Sequence, residues 1–214
     1  MKYVNNEKGN SVFYLLWLLG IVALIFVIVI NIAKVYVVKI QANTSAEQAA
    51  IAGTAVLLEE TKQAVQEFDS NLLLSAPQKL EDGGKSIADQ IQEKQDDYTG
   101  NGYSESESYI LAANDILPDK INSHPGLKHI FDQHFKSGDI GDRVLAAVQD
   151  IIDQNEGNTQ NTVVEFSAED WRLEVKSTVT FESITDHKFI QFFRDDIPQK
   201  GYGPKLKYLE GVYQ

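Results

Sequence analysis

The sequence predicts an α+β protein. A long N-terminal transmembrane helix continues into a soluble helix, and a small antiparallel sheet packed with helices follows. Three observations predict this. An uncharged apolar run fills residues 11–33, and neither Pro nor Gly interrupts the chain between Ile21 and Gly53. Near the C-terminus the hydrophobic period changes from helical to two. The expected organisation is a short cytoplasmic N-terminus at 1–10, the membrane helix at 11–33 and an extended small-residue helix at 34–74. Loops and helices at 75–160 and a β-sheet region at 161–214 complete it.

The run SVFYLLWLLGIVALIFVIVINIA, Ser11 to Ala33, carries no charge. About twenty apolar residues cross the hydrocarbon core of a bilayer, and this run suffices. A signal peptide has an apolar region of roughly 7–15 residues before a small-x-small site. This run is longer, and NIAKVYVVKI behind it offers no convincing cleavage site, so an uncleaved anchor is expected. Tyr14 and Trp17 read as lipid-facing or packing side chains. Lys2 and Lys8 precede the span and Lys34 and Lys39 follow it, so lysine counting gives no orientation. Long domains translocate largely regardless of charge, which favours N-terminus inside and C-terminal domain outside.

Ala, Gln, Glu and Leu favour helix, so the helix is expected to leave the membrane and run towards Phe68. From Ser11 to Phe68 it would be roughly 85 Å long at about 1.5 Å per residue. Val35, Val38, Ala42, Ser45, Ala49, Ala52 and Val56 recur at gaps of three and four, which makes a seam on one side. Ala46, Ala50, Gly53 and Leu57 form a neighbouring seam. Small side chains let helix backbones approach closely. The stretch therefore reads either as a surface for partner helices just outside the bilayer or as a helix lying on its own domain. Composition and spacing alone divide evenly between the two.

The segment KGNSVFYLLWLLGIVALIFVIVINIAKVYVVKIQANTSAEQAAIAGTAVL resembles the N-terminal region of TadE/TadG-like proteins. These are minor pilin-like components of bacterial tight-adherence (Flp-type) pili. In that pattern a short basic lead and a Gly precede a long apolar helix, and a polar stretch then ends in a motif like A-D-A-A-A-L-A-G-A. Here Ala46-Glu47-Gln48-Ala49-Ala50-Ile51-Ala52-Gly53-Thr54 corresponds, with Glu47 where Asp is usual. Gly9-Asn10 matches the start of the span and is a candidate processing site. The resemblance covers roughly the first 57 residues of the sequence. One departure matters. Type IV-like prepilins carry Glu five residues after the processing glycine, and Tyr14 stands there instead. A carboxylate in a membrane helix persists only with a partner. Its absence speaks against packing as a major pilin subunit and against cleavage after Gly9, and it points to TadG-like rather than TadE-like proteins. The implied partners are the bilayer and other pilin-like or pilus-platform proteins, met through the N-terminal helix. The seam residues for such contact are Ala42, Ser45, Ala46, Ala49, Ala52, Gly53 and Val56.

The remaining chain is read without that help. Ser75 to Ser86, with Pro77 and Gly83-Gly84, reads as a turn ending the long helix. The polar Gln92–Tyr109 stretch reads as an exposed loop. Asp139 to Gln154 has Ile140, Val144, Leu145, Val148, Ile151 and Ile152 at helical spacing, hence a surface helix with one buried face. In WRLEVKSTVTFES, Trp171, Leu173, Val175, Val179 and Phe181 alternate with polar residues, a half-buried strand with Trp171 starting it in the core. Asn161 to Ser167 is its partner strand, joined through Ala168-Glu169-Asp170. His187 to Asp196 has a mixed pattern, helix or strand. Lys205 to Tyr213 reads as a last strand. No internal repeat is present.

Nothing here assembles into a reaction centre. The net charge is -12. Residues 1–40 hold four lysines against one glutamate, so +3 lies there and -15 beyond it. An acidic surface disfavours nucleic acid and anionic lipid, since phosphate binding needs clustered Lys and Arg. With no cysteine there is neither a disulfide framework nor a thiolate zinc site. His124, His129 and His134 recur every five residues, whereas metal-binding histidines on a helix sit four apart. They read as a chance cluster even with Asp132 nearby. Asp139 and Asp142 do not make an EF-hand ligand run, and Asp139 reads as a helix N-cap. KGYGPK, Lys200 to Lys205, reads as a turn rather than a phosphate cradle. No catalytic residue, cofactor, metal or small-molecule substrate is assigned. The expected protein is structural and non-enzymatic, anchored once in a bacterial cell membrane or carried into surface filaments, and it assists pilus assembly. The alternative is a single-span anchored extracellular ligand-binding or sensor module. Bulky residues at Ala49 or Gly53 are expected to block assembly in the first case and to be tolerated in the second.

Overall fold

A computed structural model describes residues 8–136, 138–180 and 196–213. The short N-terminus at 1–7, the end of the expected strand at Phe181–Ser183 and His187–Asp195 lie outside the described residues. The α+β expectation holds: a long apolar N-terminal helix leads into helices that pack a three-stranded antiparallel sheet.

Helix α1, Lys8–Ser70, is a single helix of 63 residues, roughly 95 Å long at about 1.5 Å per residue. The continuous helix expected from Ser11 to Phe68 is therefore present. Asn71 terminates it. Its N–H donates to the carbonyls of Glu67 and Phe68, and its side chain accepts from the N–H groups of Leu73 and Leu74, capping the next helix. That helix is α2, Leu72–Glu81. α3 is Ile87–Gly100, α4 Glu105–Ser123, α5 Pro125–Lys136 and α6 Ile140–Gln154.

Two loop expectations are corrected here. Ser75–Ser86 is largely helix, with Pro77 inside α2, and the turn is confined to its end. There Gly83 and Gly84 take φ of 66° and 91°, the left-handed region that glycine enters without strain. The polar Gln92–Tyr109 stretch is the end of α3 and the start of α4. α3 opens with a capping box of Ser86 and Asp89, and α4 with Ser104 as its cap. Asp69 near the end of α1 accepts from the N–H groups of Ile87 and Ala88 at 3.1 and 2.9 Å, fixing the entry of α3. α6 appears where expected, although the Asp139 side chain makes no capping hydrogen bond.

The sheet has the order β1-β2-β3, with β1 Val163–Ser167, β2 Arg172–Thr180 and β3 Asp196–Lys205. β1 and β2 are the two strands read from the alternation. Leu173, Val175, Ser177 and Val179 of β2 face inward, buried. Trp171 precedes the strand instead of starting it. It has φ 52° in the turn, is half-buried, and leans on Phe166. β3 was not expected as a strand. Its Pro198, Gly201, Gly203 and Pro204 are poor strand formers, and Lys200–Lys205 read as a turn. An edge strand tolerates proline, because one of its sides has no partner to bond. Lys205–Tyr213 is corrected in the other direction: β3 ends at Lys205, and a 3-10 turn (Lys207–Leu209) and helix α7 (Glu210–Tyr213) follow. Leu206, Leu209 and Val212 are buried at a spacing of three, and Tyr208 lies with them.

One core joins these elements. It runs along α1 from Ala49 to Phe68 and includes Leu117, Ile121, Leu127, Phe131, Val148, Leu173 and Tyr208. The Tyr208 hydroxyl, fully buried, lies 2.8 Å from Thr61 Oγ1, and Thr61 in turn donates to the Leu57 carbonyl. α1 is thus the axis of the folded domain as well as its apolar N-terminal extension.

Candidate functional site

The two halves of α1 meet different surroundings. Between Val12 and Ile40 most large apolar side chains stand exposed, including Phe13, Leu19, Ile25, Phe26, Ile32, Tyr36 and Ile40. It is the one helix among the described residues that is long and apolar enough to cross a membrane. From Ala42 onward one side is closed. Ala42, Ser45, Ala46, Ala49, Ala50, Gly53 and Thr54 are buried, while Ala52 and Val56 are half-buried.

The closing elements belong to the chain itself. A Cβ on Gly201 of β3 would overlap the carbonyl group of Ala46, and one on Gly203 would overlap the Thr54 hydroxyl. The strand therefore lies backbone to backbone on the helix. Alanines on one element and glycines on the other permit that approach. Gly53 occupies the adjoining contact, where an added Cβ would meet Leu173 of β2 and Val144 and Val148 of α6. Thr54 donates its hydroxyl to the Ala50 carbonyl at 2.7 Å and so buries no unsatisfied group there. The seam, which read either as a surface for partner helices or as a helix lying on its own domain, is occupied here by β3, β2 and α6 of the same chain. A partner helix at 42–54 would have to displace the sheet.

Further along α1 a polar cluster clamps two helices to it. His134 Nδ1 of α5 lies 2.6 Å from Glu60 Oε1, and its Nε2 lies 2.9 Å from Glu67 Oε2. Arg143 of α6 donates to Glu60 Oε2 at 2.6 Å. Ionised carboxylates only accept, so this setting favours the imidazolium form, in which both ring nitrogens donate. Burial opposes that charge, but the hydrogen bonds to Glu67 and Glu60 outweigh it and raise the His134 pKa. Burial likewise pushes Glu60 up, and the bonds from His134 and Arg143 more than reverse it, leaving it below the usual carboxylate range. A second junction centres on Asp82. Burial there is overcome by Lys120, Gln78 and Gln90, which hold its pKa at about 2.

The three histidines of the sequence motif do not converge. His124 caps α4, and His129 lies 3.2 Å from Gln133, while His134 serves the clamp. No group of three or more metal-ligating side chains occurs among the described residues. The clamp joins positions far apart in sequence with no local spacing to mark them. Only the charge complement of Glu60, Glu67, His134 and Arg143 could have hinted at it. A cleft of about 400 Å³ also opens between α1, α3 and α4, lined by Leu58, Lys62, Gln92, Gln95 and Tyr109.

The half-exposed, half-buried helix coincides with a known sequence pattern. Residues 9–56 match the family of putative Flp pilus-assembly TadE/G-like proteins. This segment is TadE/TadG-like. The match ends at Val56, so it takes in the bare stretch of α1 and the small-residue seam but not the rest of the domain. No curated protein and no solved structure matches the chain. The TadE/G-like segment supports a pilus-assembly role and membrane anchoring through its single apolar helix.

Proposed function

We propose that the protein is a structural, pilin-like component of a tight-adherence pilus apparatus, anchored with its N-terminus inside and its domain outside the membrane. The observation that carries this is the TadE/G-like segment lying on a helix that is apolar and bare up to Ile40 and locked into a folded domain beyond it. The bare stretch would meet lipid and the N-terminal helices of other pilus components. The sheet, seated on the seam, would hold the domain upright on its anchor. The role needs no catalytic group.

Deletion of the gene followed by shearing of surface filaments tests the reading. Filament yield is expected to fall, and wild-type chain should restore it. Unchanged filaments in the deletion would refute the role. Fractionation of native cells then separates two forms. A chain in the filament fraction beginning at Asn10 is a processed minor pilin, and one in the membrane beginning at Met1 or Lys2 is an assembly factor. The α1–α3–α4 cleft favours a second reading, an anchored ligand-binding module. Under it, Lys62→Ala and Gln95→Ala would impair function while filaments persist.

A further inference from the structure

Helix α2 is built inside out. Ser75 and Gln78 are fully buried, while Leu72, Leu73 and Leu80 are 77, 90 and 84% exposed. The inner face is polar and bonded. Ser75 Oγ donates to the Asp69 carbonyl at 3.3 Å, and the Gln78 amide donates to the Lys85 carbonyl at 3.1 Å and to Asp82. Gln78 Oε1 is buried without a partner among the described residues. Leu72, Leu73, Ala76 and Leu80 fall on one outer face at helical spacing, and Ala76 is exposed too. A helix that only capped α1 would turn this face inward.

We infer that the leucine face of α2 is a lateral contact between two copies of this chain anchored in the same membrane. This rests on the membrane-anchored reading above. The anchoring bilayer does not cover the face, because the helix between Ala33 and Ser70 spans roughly 55 Å at about 1.5 Å per residue. Copies held by the same helix present α2 at the same height, so a twofold axis along the bilayer normal brings the two faces together. The charge also fits. In a chain of net charge -12, Lys79 is the single charged residue from Asn71 to Leu80, so no carboxylate lies on this face. The leucines offer on the order of 400 Å² per copy. Two such faces fall below the ~1,200 Å² of a stable free dimer. The contact therefore depends on the effective concentration that shared anchoring supplies.

The chain has no cysteine, which makes the test clean. Full-length Ala76→Cys is expressed in its native host, recovered in the membrane fraction and oxidised there. A disulfide-linked dimer of the 23.9 kDa chain is expected, at a yield roughly tenfold above that of Ala88→Cys, an exposed α3 position. Leu73→Glu with Leu80→Glu in the Ala76→Cys chain should abolish the dimer and leave the domain's melting unchanged. Equal yields at both cysteines, or an adduct that is not a multiple of this chain and so marks a different partner, overturns the contact alone. A chain missing from the membrane fraction overturns the anchoring reading and the contact with it.

Discussion

Gly201→Ala puts one methyl group where β3 lies on α1. Its Cβ would overlap the Ala46 carbonyl and the Glu47 N–H, which are backbone atoms of a regular helix and cannot turn aside. The strand must lift by about 1 Å merely to bring that Cβ out to about 3.0 Å, the closest approach side chains tolerate, and a gap of that size forfeits a quarter to a half of each dispersion well. Several tens of atom pairs along Ala46, Ala50, Thr54, Leu173 and Val175, each worth about 0.15 kcal/mol, then lose about 2 kcal/mol together. Residual strain of overpacking adds about 1 kcal/mol. A loss of about 3 kcal/mol lowers Tm by roughly 6–12 °C in a domain of this size. The assay is thermal unfolding of the detergent-solubilised chain, followed by Trp171 fluorescence in a Trp17→Phe background. Gly53→Ala, which meets the movable side chains of Leu173 and Val148, should cost less, about 1 kcal/mol. Gly20→Ala, with nothing within 4 Å of the added Cβ, should cost the domain nothing. A Gly201→Ala protein that melts within a degree of the parent would refute the close approach of β3 to the helix.

Other outcomes follow from the clamp and the core. His134 has a raised pKa in the folded state, so its contribution is complete below about 6.5 and is lost as pH rises through the folded value. Glu60 is lowered, so its contribution is present above about 4.5 and is lost as pH falls through its folded value. Melting against pH should therefore peak between these limits, and His134→Ala should remove the alkaline slope. That variant should also cost about 2 kcal/mol, because Glu60, only 7% exposed, keeps Arg143 alone. Asp82→Ala should cost about 2 kcal/mol by freeing Lys120, Gln78 and Gln90, read by denaturant midpoint. Tyr208→Phe should cost about 1 kcal/mol, since Thr61 keeps its bond to the Leu57 carbonyl.

α1 was legible because its signals agree: no charge from Ser11 to Ala33, no helix breaker after Gly20 until Gly53, and alanines beyond. β2 was legible because Leu173, Val175 and Val179 alternate strictly with polar residues. The misreadings have physical causes. The Ser75–Ser86 stretch looked like a turn because Pro77 lies inside α2 and Gly83-Gly84 follow it, while the helix is set by the Asn71 cap and docking on Asp69. α3 and the start of α4 looked like a loop because only Ile87 and Ile91 of α3 are fully buried, too few to make a periodic stripe. In KLKYLEGVY the run is short enough for Leu206, Tyr208 and Val212 to fit a period of two, and Leu209 decides for a helical turn. β3 was hidden because its reason for being a strand lies on α1, where glycine is required. The seam itself was found, but spacing cannot say which element fills it. Its occupants, α6, β2 and β3, begin only at Ile140, Arg172 and Asp196.

The same continuity ties the azimuth of the domain to that of its anchor. With helix throughout Lys8–Ser70, each face of the domain stands at a fixed angle around the axis relative to each face of the membrane helix. A single residue inserted between Val37 and Ile40 would rotate the domain by about 100° and raise it by about 1.5 Å, and every residue of the seam would keep its neighbours. Neighbours that grip both the anchor and the domain would sense such a change in phase, while the folded domain would register none of it.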